Sequence, residues 1–178
     1  MPRVEIRVAL SPDIPALVGL DHTSETQRVW RLNWEESDGL GASFRPVPLP
    51  RPLKLVYPRP VKRLLDDWQR RGVVLAAIHD GAAIGYLIGE TRWVLDTLWV
   101  TDLVVDKPWR RQGVATALLL TAEEWAVGEG LQQIVLEMSF RNDPAVTLAQ
   151  HLGFNFSGFL YGYYPQGDTA LFFAAPLT

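Results

Sequence analysis

The hydrophobic pattern of the first seventy residues begins with a strand and ends with a helix. Residues 4–10 alternate loosely between apolar and polar positions, which favours a strand. Residues 12–20 follow Ser11, a good helix N-cap, and predict a short helix. A second helix is predicted over residues 60–71, because a proline opens this segment and Gly72 closes it.

Between these helices, residues 27–36 alternate between apolar and polar residues and predict a strand. Residues 42–49 can return as its partner across a turn signal at residues 37–39. Prolines at alternate positions confine that partner to a sheet edge, because proline has no N–H to donate to a ladder. The first strand has one face with Trp30, Leu32 and Trp34, and another with Val29, Arg31 and Asn33.

From residue 73 onwards the pattern becomes clearer. Residues 73–79 form an apolar run, Asp80-Gly81 is a hairpin turn signal, and residues 83–92 form the second arm. Residues 97–106 are apolar on both faces, which predicts a strand at the centre of a sheet. The three runs therefore predict consecutive antiparallel strands.

The remaining chain alternates helices with strands. Residues 113–127 carry an apolar stripe at helical spacing, residues 131–138 read as a buried strand, residues 143–151 as a short helix, and residues 156–177 as two strands. The strand–helix–strand unit over residues 97–138 predicts two parallel strands with a right-handed crossover. The expected fold class is α/β (α+β), with a mixed sheet flanked by helices.

Composition limits the class of protein and its partners. The 178 residues suit a single domain (1–178), 48% of them are hydrophobic, and the formal net charge is −3. No basic stripe dominates, so no nucleic acid partner is expected. The absence of cysteine excludes disulfides and thiolate chemistry, and the histidines lack carboxylates at metal-ligand spacing, so no metal is expected. Charges interrupt the first twenty residues and no apolar run reaches about 18 residues, which favours a cytoplasmic protein with no membrane association.

The first candidate chemistry lies in residues 101–118 (TDLVVDKPWRRQGVATAL). A buried strand leads through a cationic loop into a helix whose first N–H groups have no internal partner. Such a helix start attracts phosphate, and Lys107, Arg110 and Arg111 beside it are unfavourable unless an anion joins them. Gly113 lets a ligand approach the backbone closely. The alternative is that the arginines are solvated and that Gly113 only serves a tight turn.

Two motifs resemble those of a known family. The pattern Val105-x-x-x-x-Arg110-x-x-Gly113-x-Ala115 is similar to the acetyl-CoA motif of the GNAT family of N-acetyltransferases, Arg/Gln-x-x-Gly-x-Gly/Ala. Downstream, the family's second motif, Asn-x-x-Ala-x-x-Leu-Tyr-x-x-x-Gly-Phe, resembles Asn142-x-x-Ala145-x-x-Leu148-x-x-x-Leu152-Gly153-Phe154. The resemblance covers roughly residues 73–177. It implies the GNAT fold, a mixed and mostly antiparallel central sheet, here with an extra N-terminal hairpin.

The resemblance also implies acetyl-CoA as co-substrate and a role for each matched position. The pantetheine arm would pair with the strand backbone at Leu103, Val104 and Val105. The pyrophosphate would be held by the loop and helix start, formed by Arg110, Arg111, Gln112, Gly113, Val114, Ala115 and Thr116. Asn142 would bond the cofactor near its pantetheine. Its alternative role is a helix N-cap, but Asp143 followed by Pro144 is expected to provide that cap.

Acetyl transfer to an amine needs a base for the amine proton and commonly an acid for the departing thiolate. The family's usual acid, a Tyr directly after Leu148, is replaced here by Ala149. Tyr161, Tyr163 and Tyr164 are other candidates for the acid, and Tyr164 is the one assigned as a catalytic residue. Aromatic packing is the alternative role for all three. A thiolate can also leave without an acid.

Two carboxylates are candidate bases. Asp102 lies on the central strand, where related enzymes often place an acidic residue, and Glu90 lies on the strand before it. The alternative for Asp102 is a buried carboxylate that holds a loop amide. Both therefore stay open as catalytic residues.

Residues 22–72 are longer than a minimal member of the family needs. They are assigned to the acceptor side, and residues 73–178 to the cofactor-binding core. This insertion is expected to form a lid with a partly acidic aromatic pocket for a cationic amine, built from Trp30, Trp34, Phe44, Tyr57, Glu35, Glu36 and Asp38. A satellite core or a dimer face is the alternative.

The sequence as a whole predicts an acetyl-CoA-dependent N-acetyltransferase. It would move the acetyl group directly to a primary amine of a small molecule, a peptide or a protein. A homodimer through the tail strands or the hairpin is compatible with this function. The alternatives are a module that binds acetyl-CoA as a sensor with little turnover, and an acyltransfer or acyl-CoA hydrolysis activity without an amine acceptor.

Overall fold

The structure, a computed structural model, describes residues 4–35, 41–92 and 96–178. Its strands are β1 (Glu5–Val8), β2 (Ser24–Glu35), β3 (Gly41–Leu55), β4 (Val73–His79), β5 (Ala82–Arg92), β6 (Thr97–Val105), β7 (Gln133–Ser139), β8 (Asn155–Leu160) and β9 (Ala170–Pro176). Its α-helices are α1 (Ile14–Val18), α2 (Arg63–Asp67), α3 (Val114–Gly128) and α4 (Asp143–His151).

One sheet takes in all of these strands except β2 and β3, in the order β1-β4-β5-β6-β7-β9-β8. Its neighbours pair antiparallel except β6 and β7, which run parallel because α3 crosses between them. The predicted mixed, mostly antiparallel sheet is therefore confirmed. Asp80 and Gly81 join β4 to β5 with φ angles of 48° and 78°, as a tight hairpin turn of this kind requires.

Apolar side chains cover both faces of this sheet. On one face α3 and α4 pack over a core that includes Leu98, Leu118 and Ile134, all of them fully buried. On the other face Leu17 of α1 and Leu64 of α2 pack in a core with Tyr86 of β5. Full burial of one such aliphatic side chain contributes about 1.5–3 kcal/mol, so the two layers hold β5, β6 and β7 in fixed positions.

Two predicted helices are shorter than the pattern indicates. The segment at residues 12–20 begins as a 3-10 turn, Ser11–Asp13, and only then becomes α1. Its serine lies inside that turn instead of capping it, and the Asp13 carboxylate accepts a 2.7 Å hydrogen bond from the Leu10 N–H. Two prolines in the segment supply no N–H, which shortens its regular part. The segment at residues 60–71 is reduced to α2 and one further 3-10 turn.

Strands β2 and β3 pair only with each other and form the β2–β3 ribbon, residues 24–35 and 41–55. The predicted hairpin strands are therefore present, while the predicted turn at residues 37–39 lies outside the described residues. β3 continues past its predicted end at residue 49 with a register shift opposite Thr26. The insertion is thus a ribbon beside the main sheet.

Prolines inside β3 are tolerated because of the direction in which its backbone faces. Pro46 lies opposite Trp30, and Pro48 lies opposite Arg28. The Trp30 N–H donates to the Phe140 carbonyl at 2.9 Å, away from β3, so Trp30 and Pro46 form a non-hydrogen-bonded pair. The positions that lack an N–H therefore face the outer edge of the ribbon, as predicted for an edge strand.

Aromatic side chains fix the ribbon to the last strands of the sheet. Phe44 meets Phe156 and Phe159 with ring centroids 5.7 and 5.2 Å apart, and Trp34 meets Phe159 at 5.8 Å. These rings form a satellite cluster over β8, which is the alternative to the aromatic lid. Two acidic residues assigned to that lid lie outside the described residues: Glu36 and Asp38.

The longest described helix, α3, has 15 residues, fewer than the roughly 20 that a bilayer requires. Across the three described ranges, no helix is both long and apolar enough to span a membrane. In the same ranges, no three His, Asp or Glu side chains lie close enough together to hold a metal ion.

Candidate active site

The β6–β7 pair opens into a wedge partway along both strands. Its parallel ladder joins residues 97–100 to residues 133–136 and then stops, although both strands continue. On the other side of β6 the register with β5 shifts beside Thr101, which marks a β-bulge. The facing edges of residues 101–105 and 137–139 therefore separate, and backbone hydrogen-bonding groups line the gap.

A cavity of about 910 Å³ fills this wedge and extends past both of its ends. One end lies at the start of α3. The other lies at the base of the β2–β3 ribbon, and we call it the acceptor end after the acceptor side predicted for residues 22–72. The wall includes most residues that the sequence assigned to the cofactor: Leu103, Val104, Val105, Arg110, Arg111, Gly113, Val114, Ala115, Thr116 and Asn142. Gln112 is not among the lining residues, and its side chain donates to the Pro108 carbonyl at 2.8 Å. The volume is that of a site for a molecule of cofactor size.

The loop before α3 is shaped to present backbone N–H groups. Arg111 and Gly113 have φ angles of 63° and 84°, a left-handed conformation that an arginine seldom adopts. α3 begins directly afterwards at Val114. Within the described chain, no N–H of residues 111–116 donates to another backbone carbonyl. Such a run of unpaired donors at a positive helix end suits a diphosphate.

Arg110 makes two hydrogen bonds that hold the loop before α3 in place. Its Nε donates to the Val105 carbonyl at 2.8 Å, and its Nη2 donates to the Asp21 carbonyl at 2.7 Å. The guanidinium therefore ties the loop to the end of β6 and to the segment before β2. It lines the cavity, but its hydrogen bonds go to the protein's own backbone.

Asn142 caps α4, which corrects the prediction that Asp143 would do so. Its side-chain oxygen accepts from the Ala145 N–H at 3.3 Å. Asp143 is engaged elsewhere, by Arg28 at 3.0 Å and by Trp30 Nε1 at 3.1 Å, and so fixes the ribbon to α4. Asn142 still lines the cavity, and its amide nitrogen remains a donor after the cap is made.

Asp102 is a buried carboxylate at the acceptor end that keeps hydrogen-bonding capacity. Its side chain is only 8% exposed, and it lines the cavity. Oδ1 accepts from the Tyr57 hydroxyl, and Oδ2 accepts from Thr101 Oγ1 at 2.7 Å. The Arg59 guanidinium lies 3.8 Å away. A carboxylate offers about four acceptor positions, so Asp102 can take further donors from the cavity.

Glu137 is a second buried carboxylate, and all of its acceptor positions are filled. Its side chain is fully buried. Oε1 accepts from Arg59 Nη2 and, at 3.3 Å, from the Tyr164 hydroxyl. Oε2 accepts from Trp99 Nε1 and from the Tyr163 hydroxyl, each at 2.9 Å. A carboxylate bonded in this way is held in place and has no acceptor position left for a ligand.

The three tyrosines named from the sequence lie in the connection after β8 instead of in a strand, and only Tyr164 among them lines the cavity. Burial, and then the charge of Glu137, raise the pKa of Tyr164 well above its ordinary value. Its hydroxyl therefore keeps its proton. Tyr161 is 76% exposed, and Tyr163 points its hydroxyl at Glu137.

Glu90, the other candidate base, is not among the residues that line the cavity. Its carboxylate pairs with Arg71 and, at 3.0 Å, with Arg92. Ala149, at the position of the missing acid, is fully buried in the core, and Leu148 is its neighbour on the cavity wall. The structure thus brings Asp102 and Tyr164 to one cavity and leaves Glu90 outside it.

His22 also lines the acceptor end, in a neutral form. Its Nδ1 lies 2.6 Å from the Leu20 carbonyl, which can only accept, so Nδ1 carries the proton. Nε2 then accepts from the Tyr86 hydroxyl at 3.0 Å. Burial lowers the pKa of His22, which favours this neutral state. Burial, and then the charge of Asp102, raise the pKa of neighbouring Tyr57.

Sequence reasoning missed two residues of this end, Arg59 and Glu137. Glu137 had a visible signal, because it is the one carboxylate inside the apolar run of residues 131–138, and a buried charge needs partners. Arg59 had none: an arginine between two prolines reads as a solvated loop residue.

Comparisons with known proteins identify a family whose sequence pattern this chain matches. The sequence model of the Acetyltransferase (GNAT) family matches residues 32–154. N-alpha-acetyltransferase 30 of Dictyostelium discoideum is 30% identical over 115 residues, which are 64% of this chain and 61% of that protein. The chain therefore spans less than two thirds of that relative's length.

Other relatives align from end to end. Streptothricin acetyltransferase of Streptomyces lavendulae is 28% identical over 189 aligned residues, 97% of this chain and 94% of that protein. The crystal structure of nourseothricin acetyltransferase superposes with a TM-score of 0.84 at 26% identity, over 98% of this chain and 99% of that one. These two matches take in the β2–β3 ribbon as well as the sheet.

Proposed function

The chain belongs to the GNAT family of acetyltransferases, and from that premise we propose that it transfers the acetyl group of acetyl-CoA to a primary amine. One observation carries the proposal. A single cavity joins a run of unpaired backbone N–H groups at the start of α3 to a buried carboxylate with acceptor positions left, Asp102. The first suits a diphosphate, and the second suits an ammonium group.

The cofactor half is assigned to the loop and the wedge. The N–H groups of residues 111–116 hold the pyrophosphate, and Arg110 keeps that loop in shape. The unpaired edge of Leu103, Val104 and Val105 accepts the pantetheine arm as a neighbouring strand would. Asn142 donates its amide from the opposite wall. When bound, acetyl-CoA supplies an activated acyl group, whose transfer forms an N–C bond and releases a thiol.

Asp102 is proposed as the base. An amine attacks only as the neutral species, so an ammonium that enters the cavity must give up a proton. Asp102 can accept that proton, because its two present donors leave acceptor positions open. Tyr57 and Thr101 fix the direction of the carboxylate.

Tyr164 is proposed as a hydrogen-bond donor to the leaving sulfur and not as the source of its proton. The residue lies on the wall of the cavity, and its raised pKa keeps the hydroxyl neutral; to donate, the hydroxyl turns from its 3.3 Å contact with Glu137, and the thiolate leaves without an acid. This contact would take the place of the family's usual tyrosine, whose position is occupied by Ala149. This assignment favours turnover over the alternative of a sensor that only binds acetyl-CoA.

The acceptor is proposed to be a small cationic amine, and streptothricin is the first compound to test. The end-to-end match with streptothricin acetyltransferase supports this class, since it includes residues 22–72. The base of the ribbon, with Leu53, and the segment that follows it, with Tyr57 and Arg59, form a wall of the acceptor end. The second candidate is the N-terminal amine of a peptide, which the shorter N-alpha-acetyltransferase match supports.

Calorimetric titration of acetyl-CoA, followed by a turnover screen, tests the proposal. We expect micromolar binding that Gly113→Trp abolishes, because an indole at a φ of 84° is strained and fills the approach to the loop. Gly128→Ala is the matched control, since an added Cβ there meets nothing within 4 Å. Thiol release that depends on a streptothricin-like amine supports the small acceptor, and release that depends on a peptide N-terminus supports the second candidate. No binding by the wild type at millimolar acetyl-CoA would overturn the function.

A further inference from the structure

The residue that closes the acceptor end of the wedge comes from outside the sheet. Arg59 lies in the segment that leads from β3 to α2. Its Nη1 donates to the Thr101 carbonyl at 2.6 Å, and its Nη2 donates to Glu137. Thr101 belongs to β6 and Glu137 to β7, so one guanidinium bridges the two strands just past the last rung of their ladder.

Glu137 collects donors from separate parts of the chain onto one buried carboxylate. Tyr163 and Tyr164 come from the connection between β8 and β9, Trp99 comes from β6, and Arg59 comes from the end of the insertion. Arg59 also lies over the Tyr164 ring, 5.5 Å from its centroid. The relative positions of β6, the connection between β8 and β9, and the segment that carries Arg59 therefore depend on the contacts of Glu137.

We propose that Arg59 and Glu137 are a positioning pair for acetyl transfer. Their contact fixes β6, β7 and the connection that carries Tyr163 and Tyr164 relative to each other, and thereby holds Asp102 and Tyr164 in place on the wall of one cavity. The inference rests on the proposed acetyl transfer and goes beyond it, because neither residue of the pair is asked to touch the reacting atoms.

The chemistry of the two side chains favours this role over simple stabilisation. A buried ion pair is weak evidence for stability, because the desolvation of two charges can exceed their attraction. A guanidinium, in contrast, presents several donors in a rigid plane, so it can hold a carbonyl and a carboxylate at a fixed separation. Lysine carries the same charge without that fork, which makes Arg59→Lys informative.

The experiment compares Arg59→Gln with Arg28→Gln. Both arginines belong to the insertion and pair with a carboxylate of the main domain, but Arg28 pairs with Asp143 and does not line the cavity. We expect Arg59→Gln to lower kcat/KM for the amine by about 10- to 100-fold, the scale on which small misplacements act. Its acetyl-CoA dissociation constant should stay within twofold of the wild type, which also shows that the variant is folded. Arg28→Gln should leave both values within twofold.

A double-mutant cycle and a conservative variant complete the test. Glu137→Gln should lower kcat/KM to a similar extent, and the double variant with Arg59→Gln should be scarcely worse than either single one, because both remove the same contact. Arg59→Lys should recover part of kcat and little of KM, since it restores the charge and one of the two bonds.

Each contrary result has a distinct meaning. Additive losses in the cycle, or an Arg59→Gln enzyme as active as Arg28→Gln, would overturn the positioning pair and leave acetyl transfer standing. A loss of acetyl-CoA affinity equal to the loss in kcat/KM would also overturn it, since the pair would then shape the whole wedge. A wild-type protein that acetylates no amine would overturn the proposed function, and this inference with it.

Discussion

The start of α3 and the cluster around Glu137 lie at opposite ends of one cavity and are built from different groups. The first end offers backbone N–H groups of one short loop, whose direction depends on the φ angles of Arg111 and Gly113. The second end offers side chains from segments far apart in the sequence, among them Arg59 and Trp99. A backbone site depends on few side chains, so the two ends are expected to respond differently to substitution.

The largest expected effect separates the chemistry of the acceptor end from the binding of the cofactor. We expect Asp102→Asn to lower kcat/KM by about 10²- to 10⁴-fold, the usual contribution of a general base. The amide keeps the size of the side chain but cannot take up a proton at neutral pH. Calorimetry should give an unchanged affinity for acetyl-CoA.

Glu90→Gln is the control for that prediction, because Glu90 was the rival base from the sequence. Its carboxylate lies outside the cavity and pairs with Arg71 and Arg92. We expect steady-state kinetics within twofold of the wild type. If Glu90→Gln were slow and Asp102→Asn fast, the assignment of the base would be reversed.

The next effect is at the cofactor end, where one side chain does matter. Arg110→Met removes two hydrogen bonds that tie the loop to the Val105 and Asp21 carbonyls. A hydrogen bond from a charged donor contributes about 1.5–3 kcal/mol, and part of that loss should appear as a roughly tenfold weaker affinity for acetyl-CoA. The kcat at saturating acetyl-CoA should change little. Arg51→Met, at an exposed ribbon position, controls for the loss of one positive charge.

If kcat of Arg110→Met fell as much as its affinity for acetyl-CoA, the two ends of the cavity would not respond independently to substitution. Arg110 also reaches the segment next to His22, so a shared fall would mean that the loop and the acceptor wall move together.

The smallest effect is a pH dependence of stability at the acceptor end. Because burial lowers the pKa of His22 in the folded protein, the unfolded chain binds the extra proton first as the pH falls below about 6.5. Stability from this group is therefore present above that pH and is lost below it, down to the lower folded pKa. His22→Gln should flatten the curve of unfolding free energy between pH 7.5 and 5.5.

Urea unfolding at several pH values measures this difference. Asp13 and Asp21 also have lowered pKa values, set mainly by hydrogen bonds from Arg7 and Thr23. Their contribution is lost only below about pH 4, the ordinary range of a carboxyl group, so it does not overlap the histidine window. Parallel curves for the wild type and His22→Gln would contradict the prediction.

The same difference between the two ends explains what could be predicted from the sequence. The phosphate loop is one continuous segment, and a glycine at a left-handed position followed by an apolar helix leaves a pattern that can be read directly. The order of strands from residue 73 was also accessible, because alternation and turn signals act over short distances. Both depend on local rules.

The acceptor end depends on which distant residues meet. The sequence named Asp102 because it lies on the central strand, where related enzymes often place an acidic residue, and it named Tyr164 among three neighbouring tyrosines. It could not show that all acceptor positions of Glu137 are filled, because the donors come from distant residues that meet only in the folded protein. It also assigned the cap of α4 to Asp143, whereas Asn142 makes it; both suit a helix start, and only the hydrogen bond from Trp30 to Asp143 decides between them.

The prolines of β3 have a consequence for how the protein behaves at high concentration. An unpaired strand edge is a template on which other chains can add strands and aggregate. Trp34 on the neighbouring strand is 67% exposed and would favour such aggregation, because it offers apolar surface beside the edge. The outer edge of β3 offers no donor at Pro46 and Pro48, so an approaching strand finds alternate bonds missing. The ribbon can thus extend beside the main sheet without offering a continuous edge on which other chains could add strands.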